Sequence, residues 1–88
     1  MKTADQIESQ VRSFVLNNFL FTDDASALTN DDSLTSKGIV DSTGMLEVIE
    51  FIQVEFGVRV ADEEMIPENL DSVSRLVSFV TRKASAAA

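Results

Sequence analysis

One hydroxyl in the chain stands where chemistry is within reach. The segment Gly38-Ile39-Val40-Asp41-Ser42 closes a polar stretch and runs directly into an apolar-periodic one. Asp41 is an N-cap candidate there, because a carboxylate accepts hydrogen bonds from the free backbone N–H groups of a helix's first turn. Ser42 then becomes the first helical residue, with its hydroxyl at the edge of an acidic face. As a nucleophile it lacks a base: the sequence has no His, Asp41 is a weak base unless buried, and no Gly-x-Ser-x-Gly turn surrounds it. The hydroxyl is better suited to modification by another enzyme. A phosphoryl group there would meet free N–H groups and the positive end of the helix. Repulsion from Asp41 and Glu47 would be screened in water. Two readings stay open at this point, a plain helix cap and a modification site, and local chemistry alone favours the cap.

Other chemistries are excluded by what is missing. Without Cys there are no disulfides, no thiolate metal sites and no cysteine nucleophile. Without His the usual neutral-pH base and the usual zinc ligand are gone. Asp23, Asp24, Asp31 and Asp32 sit close together, but their spacing does not match an Asp-x-Asp-x-Asp-Gly calcium loop with its closing Glu, so they are expected to serve turns and caps. No catalytic residue and no metal site is expected.

The elements that must position Ser42 follow from periodicity. A chain of 88 residues, 44% hydrophobic and 25% charged, is one domain of ordinary globular balance, with one modest core. From about Thr3 to Leu20 the apolar positions Ile7, Val11 and Phe14, widened by Val15, predict a helix. Leu16, Phe19, Leu20 and Phe21 at its end are expected to plug the end of a bundle. Thr22 to Val40 reads as a long loop anchored by Leu28, Leu34 and Ile39, and loops of that length are often functional. Residues 42–56 form the second helix, with Met45, Val48, Ile49, Ile52 and Phe56 on a core stripe and Gly57 as its stop. Val58-Arg59-Val60 runs extended. Asp62 to Ile66 is expected as a short helical turn halted by Pro67. Asp71 or Ser72 caps a last helix whose apolar positions are Val73, Leu76, Val77 and Val80. The sum is an all-α, small four-helix bundle (three longer helices, one short) with a long loop between the first and second. Residues 1–83 form the domain, and 84–88 are expected to be a frayed tail.

Charge picks out the second helix. The chain carries a net charge of −8, and the span 41–71 alone holds that whole excess, with Arg59 its single cation. Such a surface repels nucleic acid and anionic membranes and attracts basic proteins. No apolar run approaches the roughly 18 residues of a membrane span, and the N-terminal segment is polar rather than signal-like, so a cytoplasmic monomer is expected. Opposite the core stripe lie Thr43, Leu46, Glu47, Glu50 and Val54. A merely solvated helix face seldom needs Leu46 and Val54, whereas a partner-binding face uses apolar side chains for contact and acids for register and on-rate. Phe51 lies off the stripe, and the wheel leaves it open between packing on another helix and the partner face.

These residues resemble the acyl carrier protein family. The resemblance covers residues from about 5 to 83. It rests on Asp41-Ser42 at a helix start, on Glu47 in the acidic helix that follows, on the Glu55-Phe56-Gly57-Val58 exit, and on the order of helices. Gly38-Ile39-Val40-Asp41-Ser42-Thr43-Gly44 looks closer to free-standing aminoacyl and D-alanyl carriers, and to discrete carriers of specialised pathways, than to the housekeeping fatty-acid carrier. The resemblance implies that Ser42, next to Asp41, carries 4′-phosphopantetheine from coenzyme A, whose thiol holds an acyl or aminoacyl group as a thioester. It also implies a phosphopantetheinyl transferase, a loading ligase and a downstream synthase or transferase as partners, contacting Thr43, Leu46, Glu47 and Glu50. Thr43 and Glu50 stand where the family commonly has apolar residues, which makes this face more polar. The alternative is an unmodified acidic adaptor that binds a basic partner through the same face.

Overall fold

The computed structural model describes the backbone of residues 2–87 and the side chains of residues 2–84. Four α-helices surround one core: α1 (Ala4–Val15), α2 (Ser42–Phe56), the one-turn α3 (Pro67–Leu70) and α4 (Val73–Ala87). No strand occurs among the described residues, and none of their helices is long and apolar enough to cross a membrane.

Thr3 starts α1 with a capping box. Its Oγ1 accepts from the Gln6 amide, and its own amide donates to Gln6 Oε1, so orphan donors of the first turn are satisfied. Ile7, Val11 and Val15 then bury one face of α1 against α4. The expected helix runs on to Leu20, but its last turn, Leu16–Leu20, is a π-turn. Phe21 closes it in the left-handed region at φ 53°, a conformation a bulky side chain holds only at a cost. The expected aromatic plug is therefore half right. Phe19 packs against the core, while Phe21 is 81% exposed because the left-handed turn throws its ring outward.

The stretch from Thr22 to Val40 is mostly irregular, with a short 3₁₀ turn at Ala25–Ala27. Leu28, Leu34 and Val40 are buried and Ile39 packs on the core. Two side chains staple the loop. Arg12 donates to Asn30 Oδ1 at 2.7 Å and to the carbonyls of Ala25 and Leu28 at 2.6 and 2.8 Å. Asp71 accepts from Ser33 Oγ at 2.5 Å, from the Thr35 amide at 3.0 Å and from Thr35 Oγ1 at 2.8 Å. The loop aspartates work locally. Asp24 caps the 3₁₀ turn through the Ser26 amide, Asp32 accepts from the Thr29 amide and pairs with Lys37, and Asp31 accepts from Ser74 Oγ.

Two expectations near the end need correction. Asp62 to Ile66 holds only a 3₁₀ turn, Asp62–Glu64. Pro67 opens a helix rather than only halting one: it is the first residue of α3, where its missing N–H costs nothing, and Ile66 before it is extended. Of the two cap candidates for α4, Ser72 acts, its Oγ accepting from the Arg75 amide. Asp71 is committed to the loop instead. The helix continues through Ala87, across most of the expected tail, and Ala88 lies outside the described residues.

Candidate functional site

α2 spans Ser42–Phe56, bounded as its sequence predicts. Asp41 is extended, and its Oδ1 accepts from the Gly44 amide at 2.6 Å. Its carbonyl oxygen accepts from the Met45 amide at 2.8 Å. At the other end Gly57 takes φ 67°, the left-handed C′ position that glycine fills without penalty. Ser42 is thus the first helical residue. It is exposed, and among the described residues its hydroxyl makes no hydrogen bond and the amides of Ser42 and Thr43 have no acceptor. The site therefore offers a free hydroxyl, two free N–H groups and the positive end of a 15-residue helix.

Gly44 shapes the ground beneath. A Cβ there would stand 2.8 Å from Cε1 of Phe19, 3.1 Å from Asp41 Oδ1 and 3.2 Å from Val40 Cγ1. Only a residue without a side chain lets the π-turn of α1 and the loop end close on the first turn of α2.

A cleft of about 260 Å³ opens beside Ser42. Met45, Leu46 and Ile49 form its α2 wall, and Met65, Pro67 and Leu70 form the opposite wall. Thr35 and Asp71 supply a polar edge. Burial raises the Asp71 carboxyl, but hydrogen bonds from Ser33 and Thr35 outweigh it, and its pKa lies below the usual carboxylate range.

The five residues of the expected partner face do not form one patch. Leu46, 61% exposed, belongs to the lip of the cleft. Thr43 borders a hollow with Phe19, Ile39 and Glu47. Glu47, Glu50 and Val54 edge a separate groove facing α1, and Val54 is 77% exposed. Phe51, left open by the wheel, packs on α1: its ring stacks on Phe14 with centroids 4.2 Å apart. Glu55 closes the groove's far end, held by Lys2 Nζ at 2.8 Å and by Gln10 Nε2. Those two bonds, Lys2 first, keep its pKa below the usual value.

Sequence reasoning missed Thr35, Met65, Leu70 and Asp71 as cleft residues. They lie in segments without period, so only the fold brings them to Ser42. Met65 and Ile66, both partly exposed, carried the one available hint as apolar residues ahead of a proline. No group of acidic, His or Cys side chains among the described residues could hold a metal ion. In comparisons with known proteins, no family model matches the chain and no curated protein is significantly similar to it.

Proposed function

We propose that the chain is an acyl or aminoacyl carrier protein, with Ser42 the attachment point of 4′-phosphopantetheine. The observation that carries this reading is the exposed, unbonded hydroxyl of Ser42 on the first residue of an Asp41-capped helix. The residues fit the group. Oγ is open to a modifying enzyme, and the amides of Ser42 and Thr43 are free to meet phosphate oxygens. The Asp41 carboxylate is turned to Gly44, so its charge is engaged by the helix. Once attached, the group supplies the thiol that a chain without cysteine lacks.

The protein's own part is then positional. Ser42 tethers, the cleft beside it offers apolar walls, and the exposed face of α2 meets each partner enzyme in turn. Tethering raises the effective concentration of cargo at those enzymes, and a small acidic contact surface favours fast, reversible docking on basic patches. The partners are a phosphopantetheinyl transferase, a loading ligase and a downstream synthase or transferase.

The test is intact mass after incubation with coenzyme A, Mg²⁺ and a broad-specificity phosphopantetheinyl transferase. One added phosphopantetheine is expected for the wild type and none for Ser42→Ala. Absence of the gain, or its persistence in Ser42→Ala, refutes the reading.

A further inference from the structure

The side of α2 away from the cleft carries a second feature. Glu47, Phe51, Val54 and Glu55 recur at helical spacing along α2, and Gln10, Phe14 and Asn18 along α1. The helices run antiparallel, since Lys2 and Gln10 near the start of α1 meet Glu55 near the end of α2, while Phe19 meets Gly44. Their backbones do not pack closely. The stacked rings of Phe14 and Phe51 prop them apart, and a groove runs above the rings. Its two hollows, of about 340 and 260 Å³, share Phe14, Phe51 and Glu55, so they are continuous. Eight residues of α2 border it, about 12 Å of helix.

The floor is aromatic and the α2 edge is anionic. Among the described residues neither Glu47 nor Glu50 is paired with a cation or a hydrogen-bond donor. Gln10 donates to Glu55, and its own Oε1 is enclosed without a donor. The groove thus holds two unengaged carboxylates, an exposed aliphatic side chain and two half-buried aromatic rings, together with an oxygen lacking a proton to accept.

We propose that this groove receives an arginine presented by a basic, amphipathic helix of a partner protein. A guanidinium is flat, weakly hydrated and able to stack on a ring while its edges donate to carboxylates. Phe51 supplies the ring, Glu47 and Glu50 the acceptors, and Val54 contact for the aliphatic stem. Lysine, a compact and strongly hydrated charge, would use the carboxylates but gain little from the ring. A second copy of this chain is a poor occupant. Its net charge of −8 repels, and Arg12, Arg75 and Arg82 are already committed to Asn30, Pro67 and Asn69. None of the groove's residues lines the cleft beside Ser42, so the proposal does not depend on that serine being modified.

The test titrates the unmodified, ¹⁵N-labelled chain with a blocked three-turn helical peptide bearing arginines at i and i+4 beside leucines. A lysine-for-arginine copy of the peptide is run alongside. Saturable amide shifts at Phe14, Asn18, Glu47, Phe51 and Val54 are expected, with the arginine peptide about threefold tighter than its lysine copy. Phe51→Leu should erase that preference. Asn18→Trp, on the exposed rim and outside the core, should fill the groove and abolish the shifts in a chain whose spectrum stays folded. Equal affinity for the two peptides overturns the proposal, as do shifts confined to Met45, Leu46 and Ile49, or no saturable binding. Self-association of the chain that Asn18→Trp abolishes would also overturn it, by naming a second copy as the occupant. Failure of any of these leaves the mass test on Ser42 untouched.

Discussion

The carboxylate of Asp41 and the amide of Gly44 lie 2.6 Å apart, one residue to either side of the hydroxyl and amide that would meet a modifying enzyme. The cap satisfies a donor deep in the first turn and leaves the outermost amides free. Asp41→Ala should cost about 1 kcal/mol of stability and Asp41→Asn much less, both read from denaturant midpoints. If Ser42 is modified through its helix-start geometry, Asp41→Ala should also slow the mass gain.

Ser42 is exposed and bonds to nothing described, so Ser42→Ala should shift stability by no more than about 0.5 kcal/mol. That separates function from folding. A carrier loses all cargo loading in Ser42→Ala. An unmodified acidic adaptor keeps its binding in Ser42→Ala and loses it in the double variant Glu47→Lys, Glu50→Lys, so partner pull-down with the three proteins decides between the two.

Gly44 tests the contact with Phe19. Alanine at a helical glycine ordinarily stabilises by about 1 kcal/mol. Here the new Cβ would meet the Phe19 ring at 2.8 Å, and overpacking of this kind costs about 1–3 kcal/mol. Gly44→Ala should therefore be net destabilising, with shifted Phe19 ring resonances. A gain in thermal midpoint would refute the contact.

Phe21 makes the opposite prediction. It holds φ 53° with its ring in solvent. Phe21→Gly should raise stability by about 1 kcal/mol, because it relieves a left-handed strain of that order. Urea denaturation of the two proteins is the check.

The loop staples set the acid response. Asp32 is lowered to about 2, by Lys37 first and the Thr29 bonds next, and Asp71 also lies below its usual value. A carboxylate depressed in the folded state contributes its stability above its unfolded pKa near 3.8, and that contribution fades as pH falls through the folded value. Thermal midpoints should hold steady above about pH 5 and fall between pH 4 and about 2. Asp71→Asn should flatten that fall, and its baseline at neutral pH should be lower.

The helices were legible because their burial is periodic. Ile7, Val11 and Val15, and Val48, Ile49 and Ile52, repeat on one face, and Asp41 and Gly57 punctuate α2. What escaped was decided by contacts distant in sequence. Asp71 is as good a local cap as Ser72, and it was drawn away by Ser33 and Thr35, which are 38 and 36 residues distant. Phe51 sits off its own helix's stripe because its partner is Phe14 on another helix. Pro67 was read for what it ends rather than for what it begins. Ser42 and its cap were visible in local chemistry, but the cleft was not. Half its walls come from residues 65–71, which carry no repeat of their own.

The widened turn at Leu16–Leu20 sets an angle. A regular helix would reach Phe19 with its ring turned elsewhere. The wide turn aims that ring at the spot left bare by Gly44. Deleting one residue there, Asn17 for instance, would restore ordinary winding and swing everything after it by about 100°. The junction between the first two helices is thus tuned in whole-residue steps, and its aim has no neighbouring setting to drift into.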